Sequence, residues 1–496
     1  MNEAHDPAAA AGRLKERLAR LGGRVFLNGE FAPARSGRSI DVIDPSVGAP
    51  YAAQAIAGDD DVRDAVAAAE AAGRAWAAAP LQERSACFAK LAARIEASAH
   101  ELAMADAIDA GLPVARMHTD IRSAIRAING WPALAFAFRG EVMPGSDILH
   151  FTKYQPYGVV GRIVAYNHPF LFAVKGCLAA LIAGNTIVLK TADQTPASSW
   201  LIAEILQECF PAGVFNIVNG DAATGRALVR DDRVRRIAFT GSERVGRQIQ
   251  ITAAEAGVKS VSLELGGKNP MLVFADADVH DAARQVVKAM NLRVNQGQSC
   301  GSMSRILVAQ PIAEEFRHAL AATLEDLSLG PAYDPAADMG PLISQAHRQR
   351  VNDTVAAAVA DGARIVTGGP DDARAARPGF FAAPTLLDGI PDGHDILSTE
   401  IFGPVMTLQG FDDPGEMVAA ANAVDYGLTA SIWTSDLGTA LRVSDALEAG
   451  YVWVNDSTTH HWGMPFGGWK ASGIGREESI AEYVSYLQPK SIHISY

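Results

Sequence analysis

From Tyr157 onward short β-branched runs alternate with longer helical ones, and this alternation restricts the fold more than any other feature of the chain. GVVGRIVAY, TIVLK, VFNIVNG and RRIAFTG read as strands, and PFLFAVKGCLAALIA, SSWLIAEILQECF, ATGRALVRD and RVGRQIQITAAEAG read as the helices that follow them. Parallel neighbours need a long crossover, and the crossover helices cover both faces of the sheet. A doubly wound, nucleotide-type α/β lobe is expected. A second alternation opens at VSLELGG. It runs through PMLVFA, a helix from Asp278 to Met290, SRILVA, a helix from Ile312 to Leu327, a loop-rich stretch with DMGPLIS, then ARIVTGG, FFAAPTLL and further units to about Asn455. That is a second α/β lobe, and 496 residues are ample for two lobes and a smaller unit.

The smaller unit is expected from two distant segments. GEVMPGSDILHFTKYQ holds two β-prone runs around a turn, and KSIHISY closes the chain with a third. Near the start, RVFLNGEFAPA reads as a hairpin turning at Asn28-Gly29 after an N-terminal helix, and alanine-rich packing helices fill Asp59 to about Gly111.

A formal net charge of −13 argues against a nucleic-acid or membrane-surface role, because either needs a basic face. The N-terminus lacks the apolar core of a secretory signal, and the most apolar stretch, residues 170–184, carries Lys175 and is too short for a membrane span. Cys87, Cys177, Cys209 and Cys300 are widely spaced with no CxxC, which argues against a disulfide framework or structural zinc. A reducing, cytoplasmic setting is expected.

Four segments stand out chemically. In NQGQSCGS, Cys300 sits among Gly297, Ser299 and Gly301 rather than among apolar side chains, the setting of a reactive thiol more than of a core one. GQSCG also matches a nucleophile-elbow pattern around Ser299, but a strand is expected after it and a helix before it, the reverse of what an elbow needs. In VSLELGGKNP, Glu264 ends an apolar strand, placed either to face a cleft as a base or to pair with Lys268. Asn167 stands at a strand end in GRIVAYNHP, and in IAFTGSERVG a strand passes through Thr240, Gly241 and Ser242 into a helix whose N-terminus suits an anion. No P-loop, HExxH or EF-hand pattern occurs, and His460-His461 lack the spacing of a helical metal pair, so no metal is expected.

These segments resemble the aldehyde dehydrogenase superfamily. The matching stretches are YNHP, GNTIVLKTADQTP, FTGS with Gly246, LELGGKNP, NQGQSC, DMGPLIS, EIFGPV and MPFGGWKASGIGRE, in that order over nearly the whole chain. The resemblance implies a Rossmann-like cofactor domain (1–135 and 157–263), a catalytic domain (264–465) and an oligomerisation arm (136–156 and 480–496) that joins a homodimer or homotetramer. It also implies a chemistry. Cys300 attacks the aldehyde carbon, the Asn167 amide and the Cys300 N–H hold the oxyanion, hydride leaves to a nicotinamide, and Glu264 activates the water that hydrolyses the thioester. Relatives that pass the acyl group to coenzyme A usually lack such a carboxylate, so Glu264 favours release of the acid.

The same resemblance places the cofactor against Ile163, Lys190, Asp193, Thr240, Gly241, Ser242, Gly246, Leu265, Gly266, Glu400 and Phe402. Asp193 stands where NAD-preferring relatives often have Glu; a carboxylate beside the ribose 2′ position repels a 2′-phosphate, so NAD is expected in preference to NADP. For the substrate it implies a pocket near Phe170, Phe172, Lys175, Ser299, Gly301, the Thr458–Trp462 loop with His460, and Phe466. Lys175 departs from the aromatic residue common there, and is either an attractor for an acidic semialdehyde or a lysine reaching to solvent. The aromatic residues favour an aromatic or medium-chain aldehyde. A cofactor-independent thiol esterase and a non-catalytic protein of the same fold are the alternatives.

Overall fold

Five parallel strands, Phe215–Val218, Thr186–Lys190, Val159–Ile163, Val234–Thr240 and Ser260–Glu264, lie side by side in that order in the computed structural model, which describes residues 6–145 and 147–496. Counted along the chain the order is 3-2-1-4-5, with the winding reversing between Val159–Ile163 and Val234–Thr240. The first three are buried at every position, as strands covered on both faces must be. Side chains alternate between two cores. Ile187 and Leu189 pack with helices Pro169–Ile182 and Ala197–Cys209, while Val188 packs with Asp59–Ala78, Ala222–Arg230 and Glu243–Ala256.

The expected hairpin forms one edge of this sheet as Arg24–Leu27 and Glu30–Pro33, with φ +51° at Asn28 and +82° at Gly29. Both central residues of a type I′ turn need positive φ, which Asn and Gly tolerate. At the other edge Gly473–Ile474 pairs antiparallel with Ser260–Glu264, setting Glu264 opposite Gly473. Here the structure corrects the sequence reading: VSLELGG does not open the second lobe but closes the first, because Val261 to Glu264 pair in register with Ile237 to Thr240.

The second sheet runs Arg364–Thr367, Thr385–Asp388, Val405–Phe411, Arg305–Ala309, Pro270–Val273, Thr429–Trp433 and Tyr451–Val454, parallel except for its first strand. The helix Gln345–Ala360 was not anticipated; its first two turns are polar, and only Val351, Val355 and Ala358 mark its apolar side. The third sheet joins Leu487–Ser495, Ile148–Pro156 and Val142–Pro144, so the two distant β-prone segments do meet. Residue 146 and residues 1–5 lie outside the described residues. Val142, Met143 and Ile494 on this sheet are exposed. Among the described residues no helix is long and apolar enough to cross a membrane.

Candidate active site

Ile163, Lys190, Thr240 and Glu264 are the last residues of four neighbouring parallel strands, so the first sheet presents its carboxyl edge as a crevice, with Asn167 just beyond one strand end. The second sheet meets this crevice with its opposite edge. Leu265 and Gly266 lead into Pro270–Val273, Cys300 into Arg305–Ala309, and Glu400 and Phe402 into Val405–Phe411. Between the two edges lies a cleft of about 730 Å³. Asn167, Glu264 and Cys300 line it, together with Ile163, Lys190, Asp193, Thr240, Gly241 and Ser242 from the first sheet's side. Leu265, Gly266, Glu400 and Phe402 complete it from the other. Gly246 is not on its wall. A Cβ there would stand 2.7 Å from Leu265 Cδ2, so this glycine lets the helix Glu243–Ala256 pack close behind the cleft.

Cys300 is partly open to the cleft, and its loop is pinned from behind. Asn269 donates through Nδ2 to the carbonyls of Cys300 (2.6 Å) and Ser302 (3.0 Å), and its Oδ1 accepts from the Thr429 N–H at 3.1 Å. A Cβ at Gly267 would lie 2.6 Å from the Cys300 carbonyl oxygen, so only glycine permits that approach. Gln298 holds the other end, donating to Asn295 O and accepting from the Ile343 N–H. The Asn167 side-chain amide has no hydrogen-bond partner among the described residues and lines the same cleft as the thiol, and the Cys300 N–H is bonded to no other described residue and meets its own thiol. Burial, with Glu400 and Glu264 nearby, pushes the thiol up to about 12. Glu264 is buried with Oε2 unpaired, and burial followed by the charge of Glu477 raises its carboxyl well above the usual range. The sequence alternative of a Glu264–Lys268 pair does not form: the Lys268 ammonium is itself buried without a partner.

On the far wall Glu400 Oε1 accepts from the Gly267 N–H at 2.9 Å, and burial brings its carboxyl up to about 7. Phe402 sits at φ +58°, a left-handed conformation costly for a side chain of this size. His347 holds it there through a 2.7 Å contact of Nε2 to the Phe402 carbonyl, and burial lowers the imidazole to about 4, so it is neutral with Nε2 as donor. Arg350 donates to His347 Nδ1 at 2.7 Å and lines the cleft. Sequence reading missed both residues because it missed their helix. It also missed Arg226 and Arg244, which line the cleft, and Asn269, whose role depends on contacts far along the chain.

The residues assigned to a substrate pocket separate into groups. Ser299 and Gly301 flank Cys300. Phe170 has no exposed surface; it is part of the lobe core, and this corrects its placement on a pocket wall. Phe172 stacks edge-on against His168 at 5.5 Å. Lys175 is neither a free cation nor a solvent-facing one, since its ammonium contacts Glu478 at 2.5 Å, and His460 approaches the same carboxylate at 3.2 Å. His460 also stacks against Tyr451 at 5.9 Å and meets Phe466 at a tilt, with ring centroids 4.7 Å apart. Trp462 packs against Trp131 at 4.8 Å over Gly130, where a Cβ would strike the indole.

The sequence from residue 31 to residue 492 matches the aldehyde dehydrogenase family. The chain belongs to that family. It is 39% identical over 480 residues to the aldehyde dehydrogenase tropH of Talaromyces stipitatus, spanning 95% of this chain and 93% of that one. Among solved structures it is similar to an aldehyde dehydrogenase of Bacillus cereus in complex with NAD+, at 34% identity and a TM-score of 0.93 over 97% of this chain and 98% of that chain. An indole-3-acetaldehyde dehydrogenase of P. syringae, also in complex with NAD+, agrees equally well, at 34% identity and 0.93 over 98% and 99%. As an aldehyde dehydrogenase family enzyme, the chain has its catalytic thiol candidate held by the Asn269 clamp. Asn269→Ala removes three hydrogen bonds and strands the Cys300 carbonyl and the Thr429 N–H, each costing about 1–3 kcal/mol if left unpaired, while the Ser302 carbonyl keeps the Ser304 N–H. A loosened Cys300 loop should lower kcat/KM by roughly 100-fold. Steady-state kinetics unchanged from wild type would show that the clamp does not position the thiol.

Proposed function

We propose that this enzyme oxidises an aldehyde to the carboxylic acid with NAD as hydride acceptor, in two covalent stages at Cys300. The observation that carries this reading is the convergence of Cys300, Asn167 and Glu264 on one cleft whose remaining wall fits a dinucleotide. In the first stage the Cys300 sulfur adds to the carbonyl carbon, and the oxyanion accepts from the Asn167 amide and the Cys300 N–H, two donors that no other described residue occupies. The thiol rests protonated, so its proton must pass to a base, and Glu264 is the buried carboxylate in the same cleft. NAD, when bound, supplies the hydride acceptor that turns the adduct into a thioester. Before the second stage Glu264 passes that proton to solvent, the one proton released per turnover; it then takes a proton from water, the hydroxide attacks the thioester carbon, and the acid leaves as Cys300 takes up the proton from Glu264.

The cleft supports a nicotinamide dinucleotide on its own features. The helix Glu243–Ala256 begins on its wall with Ser242 at the N-cap, so first-turn N–H groups face it. A Cβ at Gly266 would lie 2.2 Å from Glu400 Oε2, so glycine brings backbone against the carboxylate that would hold a ribose. Lys190 ends its strand between the carboxylates of Asp193 and Asp221, which favours a ribose diol over a 2′-phosphate, although Arg226 and Arg244 also line the cleft. Because Lys175 is neutralised by Glu478 and the Tyr451, His460 and Phe466 rings cluster beside it, the substrate side is read as suited to aromatic or medium-chain aldehydes rather than to an acidic semialdehyde. A panel of benzaldehyde, hexanal and succinate semialdehyde, each with NAD and NADP, tests both points. NADH formation with benzaldehyde or hexanal is expected to dominate. The reading fails on substrate if succinate semialdehyde has the highest kcat/KM, and on cofactor if NADP equals or exceeds NAD.

A further inference from the structure

The strand Val159–Ile163 carries a charge one residue before its end: Arg162 is 1% exposed. A guanidinium inside a lobe needs both space and partners. Gly176, on the helix Pro169–Ile182, makes the space. A Cβ there would stand 2.6 to 2.8 Å from Nη2, Nε and Cζ of Arg162, so any larger residue evicts the guanidinium. The partners come from two different elements. Nη1 donates to Glu477 Oε1 at 2.9 Å, and Nη2 donates to Thr240 Oγ1 at 3.0 Å.

Both partners lead to Glu264. Thr240 lines the cleft and is the register neighbour of Glu264 across the parallel strands. Glu477 belongs to the turn packed on the Glu264 carboxylate: a Cβ at Gly467 would fall 2.8 Å from Glu264 Oε1 and 3.0 Å from Arg476 Cδ, and Phe466 bridges to Glu477 through reciprocal backbone hydrogen bonds. We propose that Arg162, seated by Gly176, is a positioning residue for the hydrolytic stage: it fixes Glu477 and thereby sets the charge on Glu264. This rests on the reading of Glu264 as the base that activates water. The groups that face Glu264 are Arg162, Arg476, Glu477, Glu482 and the Cys300 thiol, and those that face Arg162 are Glu477, Cys177, Tyr486 and Arg236. Burial, Glu477 and Glu482 favour the protonated Glu264, whereas Arg162 and Arg476 favour the ionised one.

The signs follow. Without Arg162, Glu264 ionises at higher pH and hydrolysis is lost first at neutral pH. Without the Glu477 charge, Glu264 ionises at lower pH. The experiment is the pH dependence of acyl-enzyme decay, followed by rapid quench on the full-length enzyme with NAD and benzaldehyde, for wild type, Arg162→Gln, Gly176→Ala and Glu477→Gln. Arg162→Gln and Gly176→Ala are expected to move the rising limb up by roughly one pH unit, with about tenfold slower decay at pH 7, and Glu477→Gln to move it down. A merely structural role lowers stability or rate without displacing the limbs in opposite directions. Limbs that stay put, or that move together, overturn the proposal. Should Arg162→Gln not fold, Gly176→Ala and Glu477→Gln decide it by the same opposition. Wild type that forms NADH while its variants keep their limbs overturns this proposal alone; wild type that forms no NADH overturns the functional reading as well.

Discussion

Replacing Cys300 by alanine is expected to lower kcat/KM for aldehyde oxidation by roughly 10⁴-fold or more, because no second thiol lines the cleft to form the covalent adduct. The other three cysteines offer no rescue. Cys177 and Cys209 are buried in the cofactor lobe, Cys87 packs against the same core, and none lines the cleft. The substitution should spare cofactor binding, since the Lys190, Asp193 and Thr240 wall belongs to the first sheet and does not depend on the Cys300 side chain. A Cys300→Ala protein that binds NAD like wild type yet forms no NADH is therefore the expected result. Retention of wild-type turnover would remove Cys300 from the chemistry.

Glu264→Gln should affect the two stages unequally. Glutamine fills the same buried space but cannot take a proton from water, so steady-state turnover is expected to fall by roughly 10²- to 10⁴-fold. Each active site should still release one equivalent of NADH rapidly before stalling as the thioester, provided the Cys300 proton finds an alternative acceptor such as solvent at raised pH. The wild-type pH profile carries a related sign. Burial and Glu477 raise the Glu264 carboxyl, so the base is ionised, and hydrolysis runs, only above a pH higher than that of an ordinary glutamate. The limb should be absent from the Glu264→Gln profile. A variant that keeps full steady-state turnover and the wild-type limb would assign the base elsewhere.

How much of this was legible in the sequence differed by the range of the interactions. The strand–helix alternation from Tyr157 marked the first lobe because buried parallel strands leave continuous β-branched runs, and Asn28-Gly29 marked its hairpin because that turn demands positive φ. Cys300, Glu264 and Asn167 were legible as unusual residues at strand ends, and the resemblance to a family joined them into one reaction; residue periodicity alone did not bring them together. What brings them together is the meeting of the carboxyl edge of one sheet with the amino edge of the other, a long-range fact. The boundary at VSLELGG was misread for the same reason, since strand pairing with Val234–Thr240 leaves no local mark.

The supporting residues were the least legible. Asn269 and Gln298 act through bonds to backbone groups up to 160 residues away, and a single sequence shows them only as polar residues in a loop. His347 and Arg350 went unseen because polar residues fill the start of their helix, and the cue that was available, Ser344 as N-cap, was not used. Lys175 was correctly singled out as unusual but its partner Glu478 lies 303 positions on, so its charge was weighed without the carboxylate that cancels it. The resemblance puts Phe170 on a pocket wall, while the helix turns that ring into the core.

The central claim is that aldehyde oxidation here passes through an acyl group on Cys300 that Glu264 helps water to remove. Its most direct test is the mass of the Glu264→Gln protein after brief exposure to NAD and benzaldehyde, followed by peptide mapping. The account predicts NADH release together with one benzoyl group replacing one hydrogen, located on the peptide that contains Cys300. NADH release with no adduct on that peptide, or with the adduct on another residue, would contradict it.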